Sequence, residues 1–235
     1  MPLTAINGVQ LTETSTAGIS KVRVIEEAAR KDLTWDRYVR LEAAADAVRK
    51  LFPYGARILD AGGFDGALAL FLPKYDIYVI DPATTGGSIL SIPAKAGAYD
   101  IVLAIDVLEH INPTARERAL DEFVRVAIKA VVLNYPCTDS ASAQVLALKA
   151  TGNDLIREHV EWDLPDSDWV LAKMSERGFT GVITPYASIA VWLGQHLALN
   201  LVPEIQTELN RFLVENHAHE PYTRALYHLV VCERS

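Results

Sequence analysis

Positive charge is in short supply. Lys and Arg number 22 against 30 Asp and Glu, which leaves a formal net charge of −8 at pH 7. That balance offers no basic footprint for a nucleic acid, so an RNA or DNA partner is not expected. Cysteine is scarcer still: Cys137 and Cys232 lie far apart, with no CxxC pair. Neither zinc-type spacing nor a secreted disulfide framework is indicated. A long hydrophobic run is missing too. The most apolar stretch, "ASIAVWLGQHLALNLVP" (187–203), is broken by Gln195, His196 and Asn200 and is short for a membrane span. The opening "MPLTAINGVQLTETSTAGIS" has no basic block followed by an apolar one, unlike a signal peptide. It reads as a mobile arm over 1–20. A soluble, cytoplasmic chain with no membrane partner is the expectation.

Apolar bulk, by contrast, is plentiful. Half of the 235 residues are hydrophobic and 22% are charged, enough for one α/β domain with length left for an elaboration. Short Ile/Val/Leu-rich runs recur at "RILDA" (57–61), "IYVID" (77–81), "YDIVLAID" (99–106) and "AVVLNYP" (130–136). Continuous apolar runs suit strands covered on both faces. Helical patterns span Lys21 to Leu51, closed by Pro53 and Gly55, and 113–130, opened by Pro113. Further helices are expected over 140–152, ending at Gly152, and from Asp166 or Ser167 as N-cap to Gly178. "TGVITPY" reads as a strand, 188–220 as two helices broken at Pro203, and 223–233 as a last strand. The alternation predicts an open, mainly parallel sheet.

The chemistry-bearing stretch is "ILDAGGFDG" (58–66), three glycines directly behind a strand. As a dinucleotide G-x-G-x-x-G it fits poorly, because the second and third positions hold Phe64 and Ala67. Read as acid-x-Gly-x-x-x-Gly it gives Asp60, Gly62 and Gly66. Asp81, fifteen residues past Gly66 at the end of the next strand, has the carboxylate that a ribose needs. The competing reading of "VIDP" is a strand end with a turn-forming Asp-Pro.

Taken together and in register, "RILDAGGFDG", "IYVIDP", "GGSILSIPAKAGAYDIVLAIDVLEHI" and "VVLNYP" resemble the class I S-adenosylmethionine-dependent methyltransferases. Nearest is the small-molecule group with a "VLEHI"-type fourth motif. The likeness covers 57–136 and runs on loosely through "EHVEWDLPDSDWVLAKMSERGF". It implies a Rossmann-like, seven-stranded sheet with an antiparallel last strand, helices on both faces and a helical insertion at 188–220. One domain over 21–235 would comprise a helical lid (21–52), a cofactor half (57–136) and an acceptor half (137–187).

The resemblance also implies S-adenosyl-L-methionine as cofactor and methyl transfer to an oxygen or nitrogen of a small molecule. Asp60, Gly62, Gly63 and Gly66 would border the cofactor's amino-acid part, Asp81 would hold the ribose, and Pro82 would flank the adenine. Ser88 would accept from the adenine amino group beside apolar Ile89, and Asp106 and Val107 would pass near the methionine portion. Two departures stand out. Phe64 replaces a common glycine, and the stretch between Asp81 and Tyr99 is short for the helix usual there. With Ser88, Phe64 motivates the alternative of a non-catalytic cofactor-binding or partner-binding subunit.

A hydroxyl acceptor needs a base, and histidine suits neutral pH. His110, in "LEHI", and His159, in "REHVEW", are the candidates; the competing readings are that Glu109–His110 ties down the following loop and helix and that His159 is a loop histidine bonded to backbone. Trp35, Tyr38, Trp162, Trp169, Tyr186 and Trp192 are candidates to wall an acceptor pocket, Trp35 and Tyr38 as a lid. The insertion would set acceptor choice; the competing reading is a homodimer surface or extra core packing. "HAHE" (217–220) lacks a matching third ligand and reads as a solvated loop, so no metal is expected.

Overall fold

Apolar residues at successive positions of a strand point to opposite faces, so a strand buried on both sides needs helices above and below it. Ile58 and Leu59, Ile101 and Val102, and Val131 and Val132 divide in this way between two buried clusters. In the computed structural model, which describes residues 7–235, they lie on central strands of an eight-stranded sheet. The parallel core consists of β3 (Arg57–Ala61), β4 (Asp76–Ile80), β5 (Tyr99–Ile105) and β6 (Ala127–Pro136). Two more strands, β7 (Phe179–Ser188) and β8 (Ala225–Arg234), close one side, with the last strand antiparallel between β6 and β7.

The other edge departs from the seven-strand expectation. Strands β1 (Val9–Glu13) and β2 (Ser20–Val24) form a hairpin, and β2 pairs antiparallel with β4 through Ser20–Val79 and Lys21–Tyr78. The sheet order is therefore β1-β2-β4-β3-β5-β6-β8-β7. Two expectations change with it: residues 9–13 and 20 belong to strands rather than to a mobile arm, and Lys21 to Val24 are extended rather than helical. The part of the expected arm at 1–6 lies outside the described residues. Buried-exposed alternation over Ser20–Val24 is a strand period that the alanine-rich helix downstream obscured. The turn of the hairpin is fixed to the loop after β4, where the Thr85 hydroxyl donates to the Gly18 carbonyl at 2.7 Å. As expected from its length, the 81–98 connection holds no helix.

Helix α1 (Trp35–Leu51) packs on one face of the sheet, and α2 (Pro113–Val126) on the other. The second of these stops at Val126 rather than at 130, because the chain passes straight into β6. After β6 come α3 (Ala141–Thr151), α4 (Asp154–Glu161) and α5 (Ser167–Glu176), the last two capped by the side chains of Asn153 and Asp166. No helix was expected over 154–161. Between β7 and β8 the chain adds α6 (Ile189–Leu201) and α7 (Gln206–His217), broken at Pro203 as anticipated. Trp35, Ala147, Trp192 and Leu213 share a third buried cluster, which ties this insertion to α1 and α3.

Candidate active site

Ligand crevices in open α/β sheets form at the carboxyl ends of parallel strands. Here a cavity of about 1290 Å³ opens over the ends of β3, β4 and β5. Its lining includes Asp60, Gly62, Gly63, Asp81, Pro82, Ser88, Ile89, Asp106, Val107, His110 and His159. All the expected site residues but one therefore face a single space. Gly66 is the exception.

The glycine turn is small for three separate reasons. Gly62 has φ +81°, and a Cβ there would sit 2.6 Å from a Val107 methyl. A Cβ at Gly63 would lie 2.3 Å from the Asp60 carboxylate. Gly66, at φ +79°, would meet Val22 at 2.9 Å, and it does not line the cavity. The space it leaves is taken by Val22 of the hairpin. Phe64 adopts φ +49° and lines the cavity.

Asp81 is buried and accepts three backbone N–H bonds: from Ala83 at 2.8 Å and Thr84 at 3.3 Å on Oδ1, and from Phe64 at 3.2 Å on Oδ2. A carboxylate has about four acceptor positions, so Oδ2 keeps one open. Asp60 is 2% exposed, and its pKa is pushed up to about 7 by burial first and by the negative charges of Asp65 and Asp81 next. Asp65 itself is paired with Arg37, Nη1 to Oδ2 at 3.1 Å. Past β4, Ser88 is exposed at the cavity mouth, and its Oγ accepts from the Leu90 amide at 3.2 Å.

Helix α1 contributes residues that sequence reasoning missed. Asp36, Arg37 and Arg40 all line the cavity. The Arg40 guanidinium meets Asp106 Oδ2 and Asp36 Oδ2 at 3.0 Å each, and donates to the Tyr227 hydroxyl at 3.3 Å. Asp106 Oδ1, on a residue held at φ +55°, is buried with no hydrogen-bond partner among the described residues. The available signal was an Asp-Arg-x-x-Arg run at the start of an alanine-rich helix, two cations one turn apart on one face. Trp35 and Tyr38, expected as a lid, do not line the cavity. Trp35 is a buried strut whose indole N–H donates to the His217 carbonyl at 3.0 Å, and Tyr38 packs edge-on against Phe71. Of the six aromatics proposed for an acceptor wall, Trp192 alone lines the cavity; Tyr227 joins it unannounced. Gln195, His196, Leu199 and Asn200 line it too, so the inserted helix α6 supplies a wall.

Residues His110 and His159, 49 positions apart, are brought into contact. His110 ends the short turn after β5, and its Nδ1–H donates to Glu158 Oε2 at 2.6 Å. His159 lies on α4 rather than in a loop, with Nδ1 3.1 Å from the Gln144 side-chain oxygen. Their Nε2 atoms face each other at 3.3 Å. Burial first, and then the charges of His110 and Arg40, hold the His159 pKa well below the usual imidazole range, so this ring is neutral at pH 7. Beside them Glu109 is fully buried, and among the described residues neither of its oxygens has a hydrogen-bond partner. Burial and the neighbouring Asp106 charge push its carboxyl well above the ordinary range.

No protein-family model and no curated protein sequence matches the chain. Solved structures do match its fold. A candidate methyltransferase of an antibiotic biosynthesis pathway from Anabaena variabilis superposes with a TM-score of 0.56 at 14% identity, covering 84% of this chain and 99% of that one. A candidate sarcosine dimethylglycine methyltransferase from Galdieria sulphuraria gives 0.55 at 16%, covering 85% and 87%. The 4+2 cyclase SpnF gives 0.52 at 15%, covering 87% and 84%. At these identities the likeness establishes a Rossmann-like methyltransferase fold.

Proposed function

We propose that this chain is an S-adenosyl-L-methionine-dependent methyltransferase whose acceptor is a hydroxyl or amine of a small molecule. The observation that carries the reading is one continuous cavity. It runs from the Gly62–Gly63 turn and Asp81, at the strand ends, to the facing imidazoles of His110 and His159.

The residues present fit the cofactor. Gly62 and Gly63 bring bare backbone to the cavity wall, where a side chain would collide with Val107 or with the Asp60 carboxylate. Asp81 keeps an acceptor position for a ribose hydroxyl, worth about 1.5–3 kcal/mol as a charged hydrogen bond. The orphaned Asp106 Oδ1 suits an α-ammonium group. Ile89 and Pro82 offer apolar surface where an adenine ring would lie, and Ser88 an uncharged acceptor. When bound, S-adenosylmethionine supplies a methyl group on a sulfonium, which passes to a nucleophile while the electron pair of the broken C–S bond stays on sulfur.

The chain's own residues do the rest. Alignment of the two reactants removes much of the barrier, roughly 7–11 kcal/mol where the geometry is held. The walls that hold it are α1 and α6, through Arg37, Trp192 and Leu199. His159 is neutral and buried, and its Nε2, which faces His110 Nε2 at 3.3 Å, is the atom that would take a proton from an acceptor hydroxyl. His110, braced by Glu158, faces the same point. Incubation with S-adenosylmethionine and a panel of small phenols, alcohols and amines tests the proposal. Formation of S-adenosylhomocysteine with one of these classes supports it.

A second reading is a subunit that binds the cofactor without turning it over. It is favoured by Phe64, whose ring stands on the cavity wall at a turn of positive φ. Saturable binding with no S-adenosylhomocysteine across the whole panel would select it.

A further inference from the structure

The imidazole pair leaves an acidic neighbour unanswered. His110 donates Nδ1–H to the Glu158 carboxylate, which leaves a lone pair on its Nε2, and His159 sets its Nδ1 3.1 Å from the Gln144 side-chain oxygen. The two Nε2 atoms face each other at 3.3 Å. A proton shared between them would satisfy the rings. It would leave Glu109 as it is, a wholly buried carboxyl whose two oxygens have no partner among the described residues, on the residue next to His110.

One positive ion answers all of these atoms together. The ligand atoms of Glu109, His110 and His159 lie within 4.8 Å of one another. Two nitrogens bound at about 2.0–2.1 Å to one tetrahedral ion are separated by about 3.3 Å, which is the spacing observed. The outer hydrogen bonds are those that metal-bound histidines need: Glu158 and Gln144 on the Nδ1 atoms fix the tautomer and the ring orientation. Once its proton is released on binding the ion, Glu109 together with Glu158 balances a charge of +2, while Arg40 already neutralises much of Asp106. His110, His159 and Asp106 line the cavity, so remaining coordination positions open towards it.

We propose that His110 Nε2, His159 Nε2 and the Glu109 carboxylate form a binding site for a divalent first-row transition ion, with open positions facing the acceptor end of the cavity. Two imidazoles and one carboxylate with open positions are a donor set suited to Zn²⁺, Co²⁺ or Fe²⁺ rather than to Mg²⁺ or Ca²⁺. Sequence spacing concealed it, since the ligands sit at 109, 110 and 159 on two different elements. Ion binding stands on this geometry alone. Its consequence for the acceptor rests on the methyl-transfer reading: the acceptor atom is then an oxygen able to bind the ion, and the imidazoles hold the ion instead of taking the proton.

The test uses the full chain, stripped with a chelator and dialysed, then titrated with Co²⁺ and separately with Zn²⁺. One Co²⁺ per chain is expected, with visible d–d absorption of a four- or five-coordinate nitrogen–oxygen site, displaced by Zn²⁺. His110→Ala, at a half-exposed ring, and Glu109→Gln, which keeps shape, should each abolish that spectrum, and Glu158→Ala should weaken binding about 10–100-fold. His219→Ala, at a remote exposed histidine, should leave it unchanged. Circular dichroism of each variant separates lost ligands from lost fold. A folded wild-type chain with no stoichiometric Co²⁺ binding overturns the proposal, as does full binding by folded His110→Ala or Glu109→Gln. Parallel calorimetry with S-adenosylmethionine keeps the two readings apart, because metal binding without cofactor binding removes only the methyltransferase reading.

Discussion

The Asp81 carboxylate accepts the backbone N–H of Phe64 at 3.2 Å, joining the glycine turn after β3 to the acid that ends β4. A single carboxylate thus shapes the turn and presents an oxygen to the cavity. Asp81→Ala should weaken S-adenosylmethionine binding by about 1.5–3 kcal/mol, or roughly 10–150-fold. Calorimetry on the folded variant checks this, and unchanged affinity would remove Asp81 from the ribose site.

Asp60 gives the site a pH dependence. Its folded pKa is about 7, raised above the ordinary value of 3.8 by burial and by Asp65 and Asp81. The folded state holds this proton more tightly than the unfolded one, so the group's contribution to stability is full below about pH 4 and is lost as pH rises through 7. A cationic ligand prefers the ionised form. Cofactor affinity should therefore rise between pH 6 and pH 8 while thermal stability from this group falls. Asp60→Asn should flatten both trends and be the more stable protein at pH 8. A binding profile with the same slope in Asp60→Asn would contradict the assignment.

Gly63 and Gly66 should fail differently. Gly63→Ala drives a methyl into the Asp60 carboxylate and should abolish cofactor binding. Gly66→Ala meets Val22 at a positive φ and should cost about 1–2 kcal/mol of stability, with affinity nearly intact in the folded fraction. Denaturant melts paired with calorimetry separate the two. The same affinity loss in both variants would mean that the hairpin, too, belongs to the binding site.

Arg40 is spent on Asp36 and Asp106 inside the cavity wall. Arg40→Met removes the cation and leaves both carboxylates with little compensation. A loss of about 3 kcal/mol is expected at neutral pH, partly recovered at pH 5 as the carboxylates take up protons. Urea melts at both pH values measure it, and a loss independent of pH would point to packing instead.

Much of this arrangement was legible in the chain. The four core strands and the glycine turn follow from continuous apolar runs closed by small or acidic residues, and Asp81 and His110 fall at strand ends, where the topology converges. Less visible was whatever depends on pairing across the sequence. The β1–β2 hairpin is short, mostly polar on its outer face and adjacent to a strong helix former, so its period of two was overrun by the helical pattern of α1. Gly66 carries the same glycine signal whether a ligand or Val22 lies against it. Arg40 and Glu109 owe their meaning to Asp106, Asp36 and the two histidines, contacts made only when α1, α4 and the turn after β5 meet. Charged residues on helix and turn surfaces ordinarily face solvent, and sequence alone does not mark the few that turn inward.

The central claim is a nucleoside sulfonium held across the ends of β3, β4 and β5, and titration of the folded chain with S-adenosylmethionine at pH 8 tests it most directly. The account predicts saturation at one molecule per chain, with competition by S-adenosylhomocysteine. A flat titration up to millimolar cofactor, from a protein whose melt is cooperative, would contradict it.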